Sequence, residues 1–330
     1  GLKAQYENYH QVQISEQNID DVIELCDQYL IQRVFPDKAL DVLDLSCVKA
    51  LFLKEKTLQK KHIEKVIEEM TGMSLTTSFS YQNLEEQMKQ EIIGQDKAIH
   101  TIVESLESLF QYPHPQKPSG IYLLVGGSGI GKTQTAKSLA KLLNRNFVKL
   151  DMSEYSEPSS VSKIIGSPPG YVGYDDHSSV LHEIILKPNT ILLLDEIEKA
   201  HPTVMNLFLQ VFDEGVIKDN HHHKISFKDS LIIMTSNVSS HNQPSVGFKK
   251  KTFSQESLKD VFSQEFMNRI DEIVPYQMLK KKDLKEILKK NAPVELSDEM
   301  IHDILLDYDT TLGARHLLSK MKKYLVSNSR

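Results

Sequence analysis

Eight consecutive residues, Gly126-Gly127-Ser128-Gly129-Ile130-Gly131-Lys132-Thr133, constrain this chain more than any other feature. They fit the spacing G-x-x-x-x-G-K-[ST]. A short apolar run, Ile121-Tyr122-Leu123-Leu124-Val125, precedes them, and a helical pattern from Ala136 to Leu143 follows. A strand, a glycine-rich turn and a helix in that order let backbone N–H groups wrap phosphate oxygens without a Cβ clash. The helix N-terminus adds the positive end of its dipole. Lys132 is spaced to reach β and γ phosphates, and the Thr133 hydroxyl to bind Mg²⁺. Gly126 to Thr133 are therefore the expected nucleotide-binding residues.

Three further apolar runs read as strands: Phe147-Val148-Lys149-Leu150, Ile191-Leu192-Leu193-Leu194 and Leu231-Ile232-Ile233-Met234. Such runs suit central strands buried on both faces of a parallel sheet. With helical patterns between them, they argue an α/β layered domain. The second run delivers Asp195 and Glu196 to the carboxyl edge of the sheet, where open α/β folds bind ligands. Asp195 is expected to hold Mg²⁺ through water, and Glu196 to orient and deprotonate an attacking water. The third run ends in Thr235-Ser236-Asn237. Asn237 either contacts the γ-phosphate or that water, or caps the following turn.

The flanks are helical. Ile19, Val22, Ile23, Leu25, Cys26, Leu30 and Ile31 recur at helical spacing, and Pro36 breaks the run. Ala39, Leu40, Val42, Leu43, Leu45 and Val48 start a second amphipathic stretch. Ile63, Val66, Ile67 and Met70 form a third, closed by Gly72. Thr76 to Ser80 is small and polar and reads as a linker. Helical spacing returns after Pro275, through Leu284, Ile287 and Leu288, then Ile301 and Ile304, then Leu317 and Met321. The expected domains are thus 1–78, 79–275 and 276–330.

Of 330 residues, Lys plus Arg number 39 and Asp plus Glu 45, a net charge of −6. That balance argues against a protein held by nucleic-acid phosphates or anionic lipid. Two cysteines, Cys26 and Cys47, make no disulfide framework and read as reduced, buried thiols in a cytoplasmic protein. No apolar run reaches the roughly 18 residues that span a bilayer. The chain has no initiator Met, and is expected to be a piece of a longer protein.

Together the motifs resemble those of the AAA+ ATPases, and within them the second ATPase module of the Clp family of ring-forming unfoldases. Ile92-Ile93-Gly94-Gln95-Asp96 is similar to the family's box at the start of the module. Asp195 to Pro202 is nearly its extended acidic box. Phe266 to Glu272 resembles its arginine-finger segment, and Leu312-Gly313-Ala314-Arg315 its second sensor. Tyr29 to Leu45 resembles the small helical end of the first ATPase module. The resemblance implies an AAA+ P-loop NTPase three-layer α/β domain with a helical lid, preceded by the small helical domain of a first AAA+ module. It implies ATP and Mg²⁺ as cofactors, with Ile92 and Ile93 lining the adenine pocket. Arg269 would reach the neighbouring subunit's γ-phosphate in trans, and Arg315 the chain's own nucleotide.

Two loops carry the rest of the likeness. Gly170-Tyr171-Val172-Gly173-Tyr174 resembles the substrate-gripping pore loop, where Tyr171 and Val172 would hold polypeptide. Val246-Gly247-Phe248 resembles the tip with which Clp unfoldases dock a ClpP-type peptidase. Six such tips in a homo-hexamer would act by avidity. The implied function is an ATP-dependent unfoldase that threads unfolded or tagged proteins, delivered by adaptors, into that peptidase. A stand-alone chaperone of the same fold is the alternative. A DNA-acting motor is disfavoured by the charge and the tyrosine loop, and a non-hydrolysing scaffold by Glu196, Asn237 and Arg269.

The sequence departs from the family pattern in places. No long heptad stretch lies between Phe52 and His62, so the coiled-coil arm of the disaggregases is not expected. Ser263-Gln264 stands where the family often has Arg-Pro. His177-Ser178-Ser179 replaces glycines after the pore loop. His221-His222-His223 reads as a solvated loop, since adjacent histidines in extended chain point in alternating directions and make a poor tetrahedral site.

Overall fold

A computed structural model describes residues 2–30, 34–71, 81–166, 180–220, 224–238, 255–306, 308–309 and 312–328. The chain divides into two compact units, 1–80 with 142–145, and 81–141 with 146–330. Tyr171, Val172, Val246, Gly247, Phe248, His221, His222, His223 and the expected linker lie outside the described residues.

The first unit carries helices α1 (Leu2–His10), α2 (Glu16–Tyr29), α3 (Asp37–Phe52) and α4 (Lys60–Thr71). Ser15 starts α2: its side chain accepts from the Asn18 N–H while the Asn18 side chain accepts from the Ser15 N–H. That reciprocal pairing satisfies two otherwise orphaned donors. Val22, Cys26, Val42, Cys47, Ile63 and Ile67 form the core. Each large apolar side chain so buried contributes about 1.5–3 kcal/mol. Cys26 and Cys47 are free and fully buried, and burial pushes both thiols up to about 11. The face of α3 differs from the sequence reading. Val42, Leu43, Ser46, Cys47 and Ala50 are buried, while Leu45 and Val48 are exposed. Small Ser46 and Cys47 let neighbouring helices approach, so they take the inner positions that side-chain hydropathy gave to Leu45 and Val48.

The second unit begins with α5 (Tyr81–Glu91) and α6 (Asp96–Gln111). There follow β1 (Gly120–Val125), α7 (Lys132–Leu142), β2 (Asn146–Asp151), α8 (Val161–Ile165), α9 (Val180–Leu186) and β3 (Thr190–Asp195). Next come α10 (Pro202–Glu214), a hairpin of β4 (Val216–Lys218) and β5 (Lys224–Ser226), and β6 (Leu231–Ser236). The short helices α11 (Gln255–Lys259) and α12 (Gln264–Met267) lead to β7 (Glu272–Pro275). The segment closes with α13 (Lys281–Asn291), α14 (Asp298–Leu305) and α15 (Gly313–Asn328).

β1, β2, β3, β6 and β7 form one parallel sheet in the order β2-β3-β6-β1-β7. β1, β3 and β6 are buried at every residue, as continuous apolar runs require. Ile121, Leu123, Leu192, Leu194, Ile232 and Met234 pack on one side against Phe208, Phe212 and Phe266. β2 differs from expectation. It is an edge strand, and Lys149 in its middle is not buried. The β4–β5 hairpin and β7 are strands that the apolar runs did not disclose. Among the described residues no helix is long and apolar enough to cross a membrane.

The sheet order places the carboxyl ends of β1, β3 and β6 side by side. The register pairs Val125 with Ser236, and Asp151 with Asp195. Chemistry-bearing residues therefore collect at one edge, at the crossover between β1 and its neighbours.

Candidate active site

β1 ends at Val125 and the chain turns at once through Gly126, Gly129 and Gly131, whose φ values are +158°, +70° and +113°. Gly129 and Gly131 occupy backbone conformations that L side chains rarely adopt, which explains glycine there. α7 then starts on Lys132. The Lys132 ammonium donates to Gly126 O at 2.7 Å, Gly127 O at 2.6 Å and Asn237 Oδ1 at 2.9 Å. Its three donors are thus matched by three oxygens. Burial pushes Lys132 down to about 8, while the Glu198, Asp195 and Glu196 charges act against that fall.

Asp195 closes β3. Its Oδ1 accepts from Thr133 Oγ1 at 3.2 Å and from Thr235 Oγ1 at 2.6 Å, and its Oδ2 lies 2.6 Å from Lys149 Nζ. Burial by itself raises the Asp195 carboxyl. The hydrogen bonds from Lys149, Thr235 and Thr133, with the Lys149 charge, outweigh burial and hold it below the usual range.

Glu196 follows in a left-handed backbone conformation, φ +56°, rare for a residue with a Cβ. Its N–H donates to Thr235 Oγ1 at 3.0 Å. A one-turn 3₁₀ segment, Ile197–Lys199, comes next. Asn237, just past β6, gathers both acids: its Nδ2 donates to Glu196 Oε1 at 3.0 Å, and its backbone N–H to Glu198 Oε1 at 3.0 Å. Of the two sequence readings for Asn237, this geometry puts the amide in the acid cluster.

A cleft of about 770 Å³ opens over these groups. Its wall includes Ser128 to Thr133, Lys149, Asp195, Glu196, Asn237 and Arg315. Ile92, Ile93, Leu279, Ile287 and Leu318 supply an apolar end. Gln95, 2% exposed, fastens that end. Its Nε2 donates to Ile130 O and Gln277 O, and its Oε1 accepts from the Gln277 N–H. At α15, the Ala314 N–H donates to Gly129 O at 2.8 Å. Gly313 fits so closely that a Cβ would sit 2.5 Å from Ser128 O.

The structure therefore brings together Lys132, Thr133, Asp195, Glu196, Asn237, Arg315, Ile92 and Ile93. Gly126 and Gly127 enter through their carbonyls. Arg269 is not among them. Its Nε and Nη2 meet Asp213 at 2.7 Å, and its Nη1 and Nη2 meet Glu265. Lys149, Thr235, Glu198 and Gln95 also belong to the site; the last three lie inside the quoted segments without an assigned role, and Lys149 lies outside every motif. A charged residue in the middle of an otherwise apolar strand was the signal for Lys149.

The cleft has an apolar end for a flat base, a glycine turn with a helix N-terminus for phosphates, and paired acids where a terminal phosphate would lie. The Thr133 hydroxyl and Asp195 carboxylate offer the hard oxygens that Mg²⁺ takes, and Asp195 already carries a cationic partner. A family model described as an AAA domain (Cdc48 subfamily) matches residues 117–273, and one described as an AAA lid domain matches 1–99. The ATP-dependent Clp protease ATP-binding subunit ClpE of Lactococcus lactis is 35% identical over 358 residues, covering 87% of this chain and 48% of that protein. Over most of its length the chain is thus similar to AAA+ ATP-binding subunits of the Clp type. A ClpA homolog protein of Fuscovulum blasticum is 33% identical over 345 residues, 96% of this chain and 44% of its own length. The chain spans about half the length of these relatives. A solved structure of Hsp104 with ATPγS and casein superposes with a TM-score of 0.78 at 28% identity, over 99% of this chain and 62% of that one.

Proposed function

We propose that this chain is the motor portion of an ATP-dependent protein unfoldase and translocase, working in a hexameric ring that feeds a ClpP-type peptidase. In this reading residues 1–78 are the small helical domain of a first AAA+ module, 79–275 the second ATPase domain and 276–330 its lid. The observation that carries the motor assignment is Asn237, which touches Lys132 and Glu196 at once. One amide thereby ties the phosphate-side lysine to the acid that would act on water.

The roles follow from position. Gly126 to Gly131 would cradle the phosphates, and Lys132 would neutralise them. Thr133 and Asp195 would hold Mg²⁺, which would draw charge from the phosphate oxygens. Glu196, held by Asn237, would take a proton from the attacking water. Arg315 would contact the terminal phosphates from the lid side. Arg269, once off Asp213 and Glu265, would serve a neighbouring subunit. Tyr171 and Val172 would grip polypeptide in the pore, with unfolded or tagged proteins as substrates and adaptors to bring them. Val246, Gly247 and Phe248 would dock the peptidase, and the whole would act in the cytoplasm.

Two observations bear on the partner. The curated relatives named above are subunits of the Clp protease or a ClpA homologue. The structural likeness to Hsp104 with casein favours a second reading, a stand-alone chaperone with no peptidase.

Sedimentation of the chain with ATPγS and a Clp peptidase separates the two, with Phe248→Ala as control. A large co-sedimenting species lost in the variant supports the peptidase reading. A ring that ignores the peptidase supports the chaperone. A Glu196→Gln chain that binds ATP without turning it over supports the assignment of the base, and undiminished turnover removes it.

A further inference from the structure

Lys149 lies outside every motif read from the sequence, yet it makes the shortest ion pair among the described residues of the cleft. It stands mid-way along the edge strand β2, paired in register with Leu193 of β3, two residues before Asp195. Its Nζ is 2.6 Å from Asp195 Oδ2 and 3.9 Å from Asp151 Oδ2. Asp195 Oδ1 is taken by two hydroxyls, Thr133 and Thr235. The second oxygen is the one left for a cation, and an ammonium holds it. Lys149, Asp151, Asp195 and Thr133 all border the same cleft.

We propose that Lys149 is a positioning residue that competes with the divalent metal for Asp195, so that metal entry moves its ammonium from Asp195 to Asp151. The inference rests on the reading of Thr133 and Asp195 as the metal side of a nucleotide site. The physics is simple. A divalent ion beside Asp195 repels an ammonium 2.6 Å from the same carboxylate and offers that carboxylate a stronger partner. Lysine suits such a move, being a point charge on a flexible four-carbon stem, and Asp151 waits within one side-chain swing. Until then Lys149 compensates a buried carboxylate that would otherwise be costly to desolvate. The device sets metal affinity below what the bare oxygen set would give, which ties loading of the metal to loading of the nucleotide that brings it.

The test measures binding, not turnover. A fluorescent ADP analogue is titrated into the full chain in excess Mg²⁺ and in EDTA, and the Kd in EDTA divided by the Kd in Mg²⁺ reports the metal's contribution. Lys149→Met should raise that ratio about fivefold, the scale of a half-exposed charge contact. Lys149→Arg should stay near wild type, and Asp151→Asn should lower the ratio. The rise should come from a lower Kd in Mg²⁺ than wild type; a rise that comes only from weaker binding in EDTA overturns the competition, so a damaged variant is not mistaken for support. A Lys149→Met ratio equal to or below wild type overturns the role of Lys149, as does an Arg variant that rises with it. A wild-type chain whose nucleotide affinity ignores Mg²⁺ overturns the metal reading itself, and this inference falls with it.

Discussion

Asn237 donates from Nδ2 to Glu196 Oε1 at 3.0 Å and accepts at Oδ1 from Lys132 at 2.9 Å. One amide thus fixes the position of an acid and a base side chain that lie 64 residues apart in sequence. Glu196 leaves β3 in a left-handed conformation, off the alternation of the strand, and the Asn237 amide holds its carboxylate there.

Asn237→Ala should therefore lower kcat by about a hundredfold, the usual reach of a positioned general base. The Kd for ATP should change much less, because the glycine turn and the helix N-terminus remain. Steady-state turnover with fluorescent-nucleotide binding checks the split. A loss of affinity matching the loss of rate would mean that Asn237 acts on the ground state instead.

Gly313 and Gly129 pack backbone to backbone, with φ values of +68° and +70°. A Cβ on residue 313 would lie 2.5 Å from Ser128 O and 2.9 Å from Gly129 Cα. Neither contact is the yielding end of a side chain, so the start of α15 or the glycine turn must shift. Gly313→Ala should cost about 1–3 kcal/mol and weaken nucleotide binding, since the shift falls where phosphate would be held. Urea unfolding and the same binding assay read both. Unchanged affinity with lowered stability would show that α15 and the glycine turn move independently.

Arg269 makes its contacts with Asp213 and Glu265 and takes no part in the cleft. Its guanidinium is raised first by the hydrogen bond to Asp213, with burial acting against it. If it serves a neighbouring subunit, Arg269→Ala should leave ATP affinity of the chain within about twofold, as loss of surface pairs does. Turnover in an assembled ring should fall about a thousandfold, as for other trans arginines. Turnover measured against chain concentration checks it, because only the assembled form can show the loss.

The sequence made the centre of the site readable and left its rim hidden, for physical reasons. Lys132, Thr133, Asp195 and Glu196 sit where a buried strand meets a turn, so an apolar run followed by glycine or acid marks them. Lys149 escaped because a run of four residues does not tell an edge strand from a central one; strand order is a long-range property. β7 has only four residues, and its pairing with β1 crosses about 150 positions. Gln95 lay within the box at Ile92 to Asp96, but its role was not legible, because its partners Ile130 and Gln277 are distant in sequence. Leu45 and Val48 misled for a related cause: hydropathy ranks side chains singly, whereas close helix packing rewards Ser46 and Cys47 for being small.

Lys132 gives the sharpest dependence on pH. Burial brings it to about 8 from the ordinary lysine value of 10.5. Between those values the unfolded chain holds a proton that the native chain has released. Stability therefore rises with pH across that window, and the penalty of burying the charge is fully present below about 8. The full swing is on the order of 3 kcal/mol. Wild type and Lys132→Met should converge in urea stability as pH climbs from 7 to 10. Phosphate oxygens favour the ammonium, so nucleotide binding should draw a proton back. Calorimetry at pH 9 in two buffers of different ionisation enthalpy should find uptake approaching about one proton, and little at pH 7. Equal uptake at both values would place the titration on another group, and the lysine would then carry its charge throughout.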